Sequence, residues 1–281
     1  MIRPALQDGA FLEDVSGANR DDGHFRLWWL GQSGFLVQWK RRHLLLDPYL
    51  SDSLTRKYAA TDKPHVRMTE RVVDPARLDF IDVVTSSHNH TDHLDGETLG
   101  PLLKANPRLV MVAPDANRDF IADRLSIGRS FPVGLRDGES TTIGSFRFTA
   151  VPAKHEELSP ECLGYVIECG SWRIYHSGDT LLYEGMADRL RPFAVDIALL
   201  PINGRAPERR VAGNLSGSEA AELAKAMGAR MVIPCHYEMF EFNTADPAEF
   251  IRTAESIGQP YRVLRCGGRW ESTALREVAR Q

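Results

Sequence analysis

The sequence is most informative at first through what it lacks. No apolar run approaches the ~20 residues that cross a bilayer, so no membrane span is expected. Residues 1–23 are polar and acidic, without the apolar stretch of a secretory leader, so none is expected there. No long basic run exists and the net charge is -4, which argues against nucleic acid as a partner. The four cysteines, Cys162, Cys169, Cys235 and Cys266, form no CxxC pair. That excludes a zinc finger and reads as reduced core thiols of a cytoplasmic protein. No Pro/Gly/Ser-rich linker interrupts the middle of the chain, so one large domain spanning 25–281, preceded by an arm at 1–24, is expected.

What is present is ordinary globular material: 281 residues, 43% hydrophobic and 26% charged, enough for a sizeable core. The arm reads as loosely structured. Strand-like runs at Phe25–Leu30, Phe35–Trp39 and His43–Leu46 form a meander, turned at Gly31-Gln32-Ser33-Gly34 and Lys40-Arg41-Arg42. A polar segment from Tyr49 to Pro75 is too long for a mere connector and reads as a lid or binding loop. Further strands are expected at Ile81–Ser86, Leu109–Val112, Thr141–Ile143, Phe146–Val151, Leu163–Glu168, Trp172–Tyr175, Ile197–Leu200, Met231–Pro234 and Tyr261–Leu264. Helices are expected at Gly96–Ala105, Ala113–Leu125, Ser218–Met227 and Pro247–Ser256, with Ser218 as an N-cap. Strand and helix thus alternate in a coarse two-fold pattern, which suits two sheets with helices outside.

Chemistry concentrates in Thr85-Ser86-Ser87-His88-Asn89-His90-Thr91-Asp92-His93, just after a buried strand. Three histidines and an aspartate in six positions cannot be explained as turn chemistry, and imidazole and carboxylate suit a borderline divalent ion. Three more donors, His155, Asp179 and His236, stand just beyond later strands. Each alone reads as a satisfied histidine or a turn aspartate; their recurrence at strand ends argues for one site. Five histidines and two aspartates can hold two ions, with Asp179 the best bridging carboxylate.

The spacing His88-x-His90-x-Asp92-His93, followed by a later His, a Ser-Gly-Asp and a last His, resembles the metallo-β-lactamase superfamily. Within it the chain is similar to the branch that includes the L-ascorbate-6-phosphate lactonases. The similar pieces are Leu27-Trp28-Trp29-Leu30-Gly31, Tyr175-His176-Ser177-Gly178-Asp179, Val232-Ile233-Pro234-Cys235-His236 and Phe242-Asn243-x-x-Asp246-Pro247. The chain departs from those lactonases in the Ala153-Lys154-His155 context. The resemblance implies a four-layer αββα sandwich with the site at one edge between the sheets. It implies His88, His90 and His155 on one metal, Asp92, His93 and His236 on a second, and Asp179 between them. Asp92 would also hand a proton to the leaving group, and Asp47 would accept from a ligand imidazole.

The expected function is a dinuclear hydrolase, with zinc or manganese, using a metal-bridging hydroxide on a small lactone or ester, with or without a phosphate. A phosphodiesterase acting on a small nucleotide or lipid headgroup is the alternative. A non-catalytic metal-binding protein is the reading from another class. Tyr183 is a candidate for polarising a carbonyl, and Asn203, Arg205 and Arg209 with Arg210 are candidates for binding an anionic group. Arg56, Lys57, Tyr58, His65 and Arg67 are candidates for the mouth. A homo-oligomer is expected from the resemblance.

Overall fold

A computed structural model describes residues 1–275. In chain order its elements are α1 (Asp8–Gly17), β1 (Arg26–Gly31), β2 (Gly34–Trp39), β3 (Arg42–Leu46), α2 (Ser53–Tyr58) and β4 (Val83–Thr85). Then come α3 (Gly96–Ala105), β5 (Val110–Pro114), α4 (Arg118–Leu125), β6 (Pro132–Leu135), β7 (Ser140–Ile143), β8 (Phe146–Lys154), β9 (Leu158–Cys169) and β10 (Trp172–His176). The chain continues with α5 (Met186–Leu190), β11 (Ile197–Pro201), α6 (Gly217–Ala226), β12 (Met231–Cys235), α7 (Ala248–Ser256) and β13 (Arg269–Glu271).

Two mixed sheets face each other. One has seven strands in the order β13-β1-β2-β3-β4-β5-β6, the other six in the order β12-β11-β10-β9-β8-β7. Apolar strands such as β1, β2, β11 and β12 are buried along their whole length, as expected where both faces of a sheet are covered. One core joins the sheets, with Phe25, Trp28, Trp29, Phe35, Phe148, Tyr165 and Tyr175 among its largest members. This is the αββα sandwich of the sequence reading.

In each sheet a meander gives way to parallel pairing. The β3–β4–β5 and β10–β11–β12 neighbours are parallel, so several chain exits gather at one edge. Donor-bearing loops follow β3, β4, β8, β10 and β12 at that edge, in keeping with the rule that α/β sheets place ligands beyond the carboxyl ends of their strands. Asp95 caps α3, its carboxylate accepting from the backbone of Glu97 and Thr98, and so ends the histidine loop at a rigid point.

Several details depart from the sequence reading. Residues 8–17 of the arm are helical, and Phe11 and Val15 bury themselves against the core. The first residues lace onto the stretch before β4: Ile2 bonds the backbone on both sides of Thr69, Asp8 N–H donates to Val72, and Ala5 N–H donates to Cys266. Ala113 and Pro114 finish β5, and α4 starts only at Arg118, because Pro114 has extended backbone. Ser216, not Ser218, caps α6; a reciprocal capping box with Glu219 settles the choice. Tyr261 makes only an isolated bridge to Val232, and the last strand is β13. The Tyr49–Pro75 segment carries α2, and β6 has no counterpart in the sequence reading.

Candidate metal centre

The histidine loop leaves β4 and is shaped from below by Asp47, the first residue after β3. Asp47 is fully buried. Its carboxylate accepts from Thr85 Oγ1 (3.0 Å), Ser87 N–H (3.0 Å), Ser87 Oγ and His93 Nδ1 (2.7 Å). A buried carboxylate needs such partners. They hold it below the usual carboxylate range although burial alone would raise it. The expected acceptor for a ligand imidazole is therefore present, at His93. With Nδ1–H donated to Asp47, Nε2 is the His93 nitrogen left for an ion, and it faces Asp179 and Asp92.

Seven donors converge there from four loops. His88, His90 and His155 form one group, and Asp92, His93, Asp179 and His236 a second; within each, one donor atom per residue lies within 4.8 Å of the others. The first three rings make a nearly equilateral triangle, with centroids 4.7, 4.8 and 4.8 Å apart. His90 Nδ1 and His155 Nε2 face each other at 3.0 Å. Asp179 stands between the groups. Its Oδ1 is 3.3 Å from His93 Nε2, and its Oδ2 is 3.3 Å from His236 Nε2 and 3.9 Å from His155 Nε2. Asp92 Oδ2 is 3.7 Å from both His93 Nε2 and His236 Nε2. Gly178 turns the chain at a left-handed φ of +59°, and a β-carbon there would meet Ser87 Oγ at 2.4 Å. That close approach is what brings Asp179 onto the histidine loop.

The electrostatics divide the groups. Burial would raise Asp179 and Asp92, yet neighbouring His236 and His93 hold both far below the usual carboxylate range. Burial would lower His93 and His236, but the two carboxylates win: His93 is pushed well up and His236 up to about 9. His88 and His155 go the other way, kept neutral mainly by burial. Nitrogens of buried rings also lack any hydrogen-bond partner, among them His88 Nε2 and His93 Nε2. Buried polar atoms without partners, aimed at one another, fit a cation between them. The residues present thus suit divalent metal ions.

A cavity of about 440 Å³ opens above the donors. Its floor includes Gln32, His90, Asp92, His155, Asp179 and His236, and its mouth carries Lys57, Lys63, Arg124 and Arg210. One wall is aromatic: His65 stacks on Tyr58 at 4.3 Å and meets Phe240 and Phe242 edge-on.

The structure brings some of the other sequence candidates to this cavity and leaves the rest away from it. Tyr183 donates its hydroxyl to Pro152 O (3.1 Å) and lines a separate apolar groove with Leu158 and Pro160. Arg205 is bound by both oxygens of Glu219 at the start of α6. Arg209 folds back on Asn203 O and Thr244 O, and Asn203 is buried between Asn214 and Asn243. These three serve the loop after β11 itself. Arg56 pairs with Glu97 and Arg67 with Asp52, while Lys57, Tyr58, His65 and Arg210 do line the cavity. Gln32, Lys63, Arg124, Phe240 and Asn243 were not singled out. A lone glutamine in a turn carries no chemical signature, Lys63 and Arg124 approach from distant parts of the chain, and Phe240 and Asn243 follow the donor His236 without ligand character of their own.

Fold and donor set together define a metallo-hydrolase of the αββα class. Residues 42–237 match the model of the Beta-lactamase superfamily domain, and the chain belongs to that family. A UPF0173 metal-dependent hydrolase of Caldivirga maquilingensis is 29% identical over 237 residues, covering 84% of this chain and 92% of that protein. Among solved structures, the metallo hydrolase Igni18 of Ignicoccus hospitalis superposes with a TM-score of 0.65 at 22% identity, covering 88% of this chain and 98% of its own. An isothiocyanate hydrolase from Delia radicum gut bacteria does so at 0.68 and 18% identity, with 87% and 98% covered.

Proposed function

We propose that this metal-dependent hydrolase works with two divalent ions, zinc or manganese, on a small anionic lactone or ester. His88, His90 and His155 would hold the first ion, Asp92, His93 and His236 the second, with Asp179 shared. The observation that carries this reading is the meeting of two donor groups at one carboxylate, whose Oδ2 lies within 4 Å of an imidazole from each. Such a pair of ions supplies Lewis acidity and hydroxide at neutral pH, so no serine or cysteine nucleophile is needed.

The chain's own groups have distinct tasks. Asp92 borders the cavity and would relay to a departing alkoxide the proton of the attacking hydroxyl group, its own carboxyl being ionised at rest. Asp47 keeps His93 in one tautomer. At the mouth Arg210 is paired with Asp62, Lys63 donates to Arg210 O and Arg124 donates to Asn89 O and Leu94 O, which leaves Lys57 as the cation that would favour a substrate bearing a carboxylate or phosphate. The wall formed by Tyr58, His65, Phe240 and Phe242 would pack its apolar part. The four free thiols fit a reducing compartment such as the cytoplasm.

The test is turnover by metal-loaded protein of a lactone panel, with and without an anionic substituent, beside bis-p-nitrophenyl phosphate. Anionic lactones should be preferred, and Asp179→Asn or His88→Ala should abolish their turnover. Turnover of the phosphodiester alone would replace this reading with a phosphodiesterase. Two bound ions with no turnover on either panel would favour a non-catalytic protein.

A further inference from the structure

The β1–β2 turn does more than reverse the chain. Gln32 sits there with a left-handed φ of +50°, a conformation that a glycine would adopt without strain. Its carbonyl accepts from Trp29 Nε1 and from His236 N–H, each at 2.9 Å, so the turn is bolted to the loop that bears His236. The side chain is 1% exposed and reaches the cavity floor. Its terminal nitrogen lies 2.7 Å from Asp92 Oδ2 and 3.1 Å from His236 Nε2. Its oxygen is buried and accepts from no donor.

The two ends of a carboxamide have the same shape, so which is nitrogen is decided by chemistry. With nitrogen inward, the amide donates to Asp92 and leaves its oxygen buried without a partner; turned over, it leaves the nitrogen there instead, so the choice rests on what the inner end meets. With oxygen inward, three donor atoms meet: the amide oxygen, Asp92 Oδ2 and His236 Nε2. Two ligands at ~2.1 Å from one ion and about 90–110° apart are roughly 3.0–3.4 Å from each other. The separations of Gln32 from Asp92 and His236 are close to such edges.

We infer that Gln32 is a ligand of the second ion through its amide oxygen. This rests on the two-ion reading above and adds a residue to it. The second site then offers oxygens from Asp92, Asp179 and Gln32 with nitrogens from His93 and His236. The first offers three imidazoles and the shared carboxylate. Five donors with three oxygens suit a harder ion of higher coordination number, whereas three imidazoles suit tetrahedral zinc. The two sites therefore differ in selectivity: the second discriminates less against manganese than the first.

The test is ion binding, read without turnover. Apoprotein is titrated with Mn2+ and with Zn2+ by calorimetry, and the manganese site is followed by electron paramagnetic resonance. Gln32→Met keeps length and backbone but removes the oxygen. It should weaken the second ion on the order of tenfold or more, the least that even outer hydrogen-bond partners of a ligand cost when lost, and leave the first unchanged. Gln32→Glu retains an oxygen donor and should hold the second ion at least as tightly as the wild type. If Gln32 served only as an amide donor to Asp92, glutamate would repel that carboxylate and weaken the second ion as much as methionine does. That result overturns the inference while the two-ion reading stands. A second ion bound equally by all three proteins also overturns it. Wild-type protein that takes up a single ion would remove both readings together.

Discussion

Asp47→Asn isolates how the buried carboxylate below the site controls it. The variant keeps shape and removes one charge. Its amide oxygen can take the place of Oδ1, which accepts from Thr85 Oγ1 and Ser87 N–H at 3.0 Å each. Its NH2 group then replaces Oδ2, which accepts from His93 Nδ1 at 2.7 Å. Two donors would face each other across that gap. When His93 gives up one of its two protons to admit an ion, it escapes by keeping the other on Nε2, where Asp179 Oδ1 lies 3.3 Å away and can accept it. A protonated Nε2 is no longer a ligand.

Two magnitudes follow. Loss of a hydrogen bond to a charged group costs about 1.5–3 kcal/mol. For a chain of this size that lowers the melting temperature of the apoprotein by roughly 3–5 °C. Affinity for the second ion should fall about 10–100-fold, as is usual when the partner of a ligand imidazole is lost. The sign with pH is also set. Asp47 is depressed in the folded state, so its stabilisation is present above the ~3.9 of an unfolded aspartate and is lost as pH falls through its lower folded value. The deficit of the variant should therefore be full at pH 7 and shrink in acid. Scanning calorimetry of apoprotein and calorimetric ion titration read both quantities. Unchanged melting together with unchanged uptake of both ions would refute the argument.

The two sites should also differ in the protons that they release on loading. His93 and His236 are raised, His236 to about 9, so at pH 7 both carry protons that an ion must displace. In the apoprotein their stabilising contribution is full below ~6.5 and is lost as pH rises through about 9 for His236. Affinity of the second site should therefore climb from pH 6 to 9, while His88 and His155, held neutral, give the first little such slope; proton release measured in buffers of different ionisation enthalpy decides, and equal release at both sites would contradict the assignment. At the mouth, Lys57 is exposed over the ring of Tyr58 and makes no ion pair among the described residues. Lys57→Glu should raise KM for an anionic substrate about 3–10-fold, with kcat nearly unchanged, and the effect should fade at high salt; a KM insensitive to both would remove Lys57 from substrate binding.

How far the sequence could be read follows a physical division. Buried strands announce themselves by apolar runs, and ligand-type residues just beyond them announce a site, so the positions of His88, His90, Asp92, His93, His155, Asp179 and His236 at one edge were legible. Arginines were not, because charge says nothing about which neighbour takes it. Arg205 goes to the glutamate of a capping box, and Arg209 to carbonyls of its own loop. Tyr183 looked close to Asp179 in sequence, but its hydroxyl turns to Pro152 on the far side. Gln32 was hidden for the opposite reason. Its position depends on a backbone bond from residue 236 and on a left-handed turn, neither of which a local pattern records.

The lacing of the chain's first residues onto positions 68–72 reaches further than local packing. That same stretch continues backward to His65. Met68 N–H donates to Met239 O, and Arg67 bridges Phe240, so the aromatic wall hangs on the same strip of backbone. Residues 1–8 are thus a hem on the strip that carries the aromatic wall, stitched at Ile2 and Asp8 and anchored behind at Cys266. Changes at this end of the chain, which supplies none of the seven metal donors, would reach the aromatic wall through that strip of backbone. Selectivity among substrates can then drift by substitutions in the hem while the reacting centre keeps its geometry.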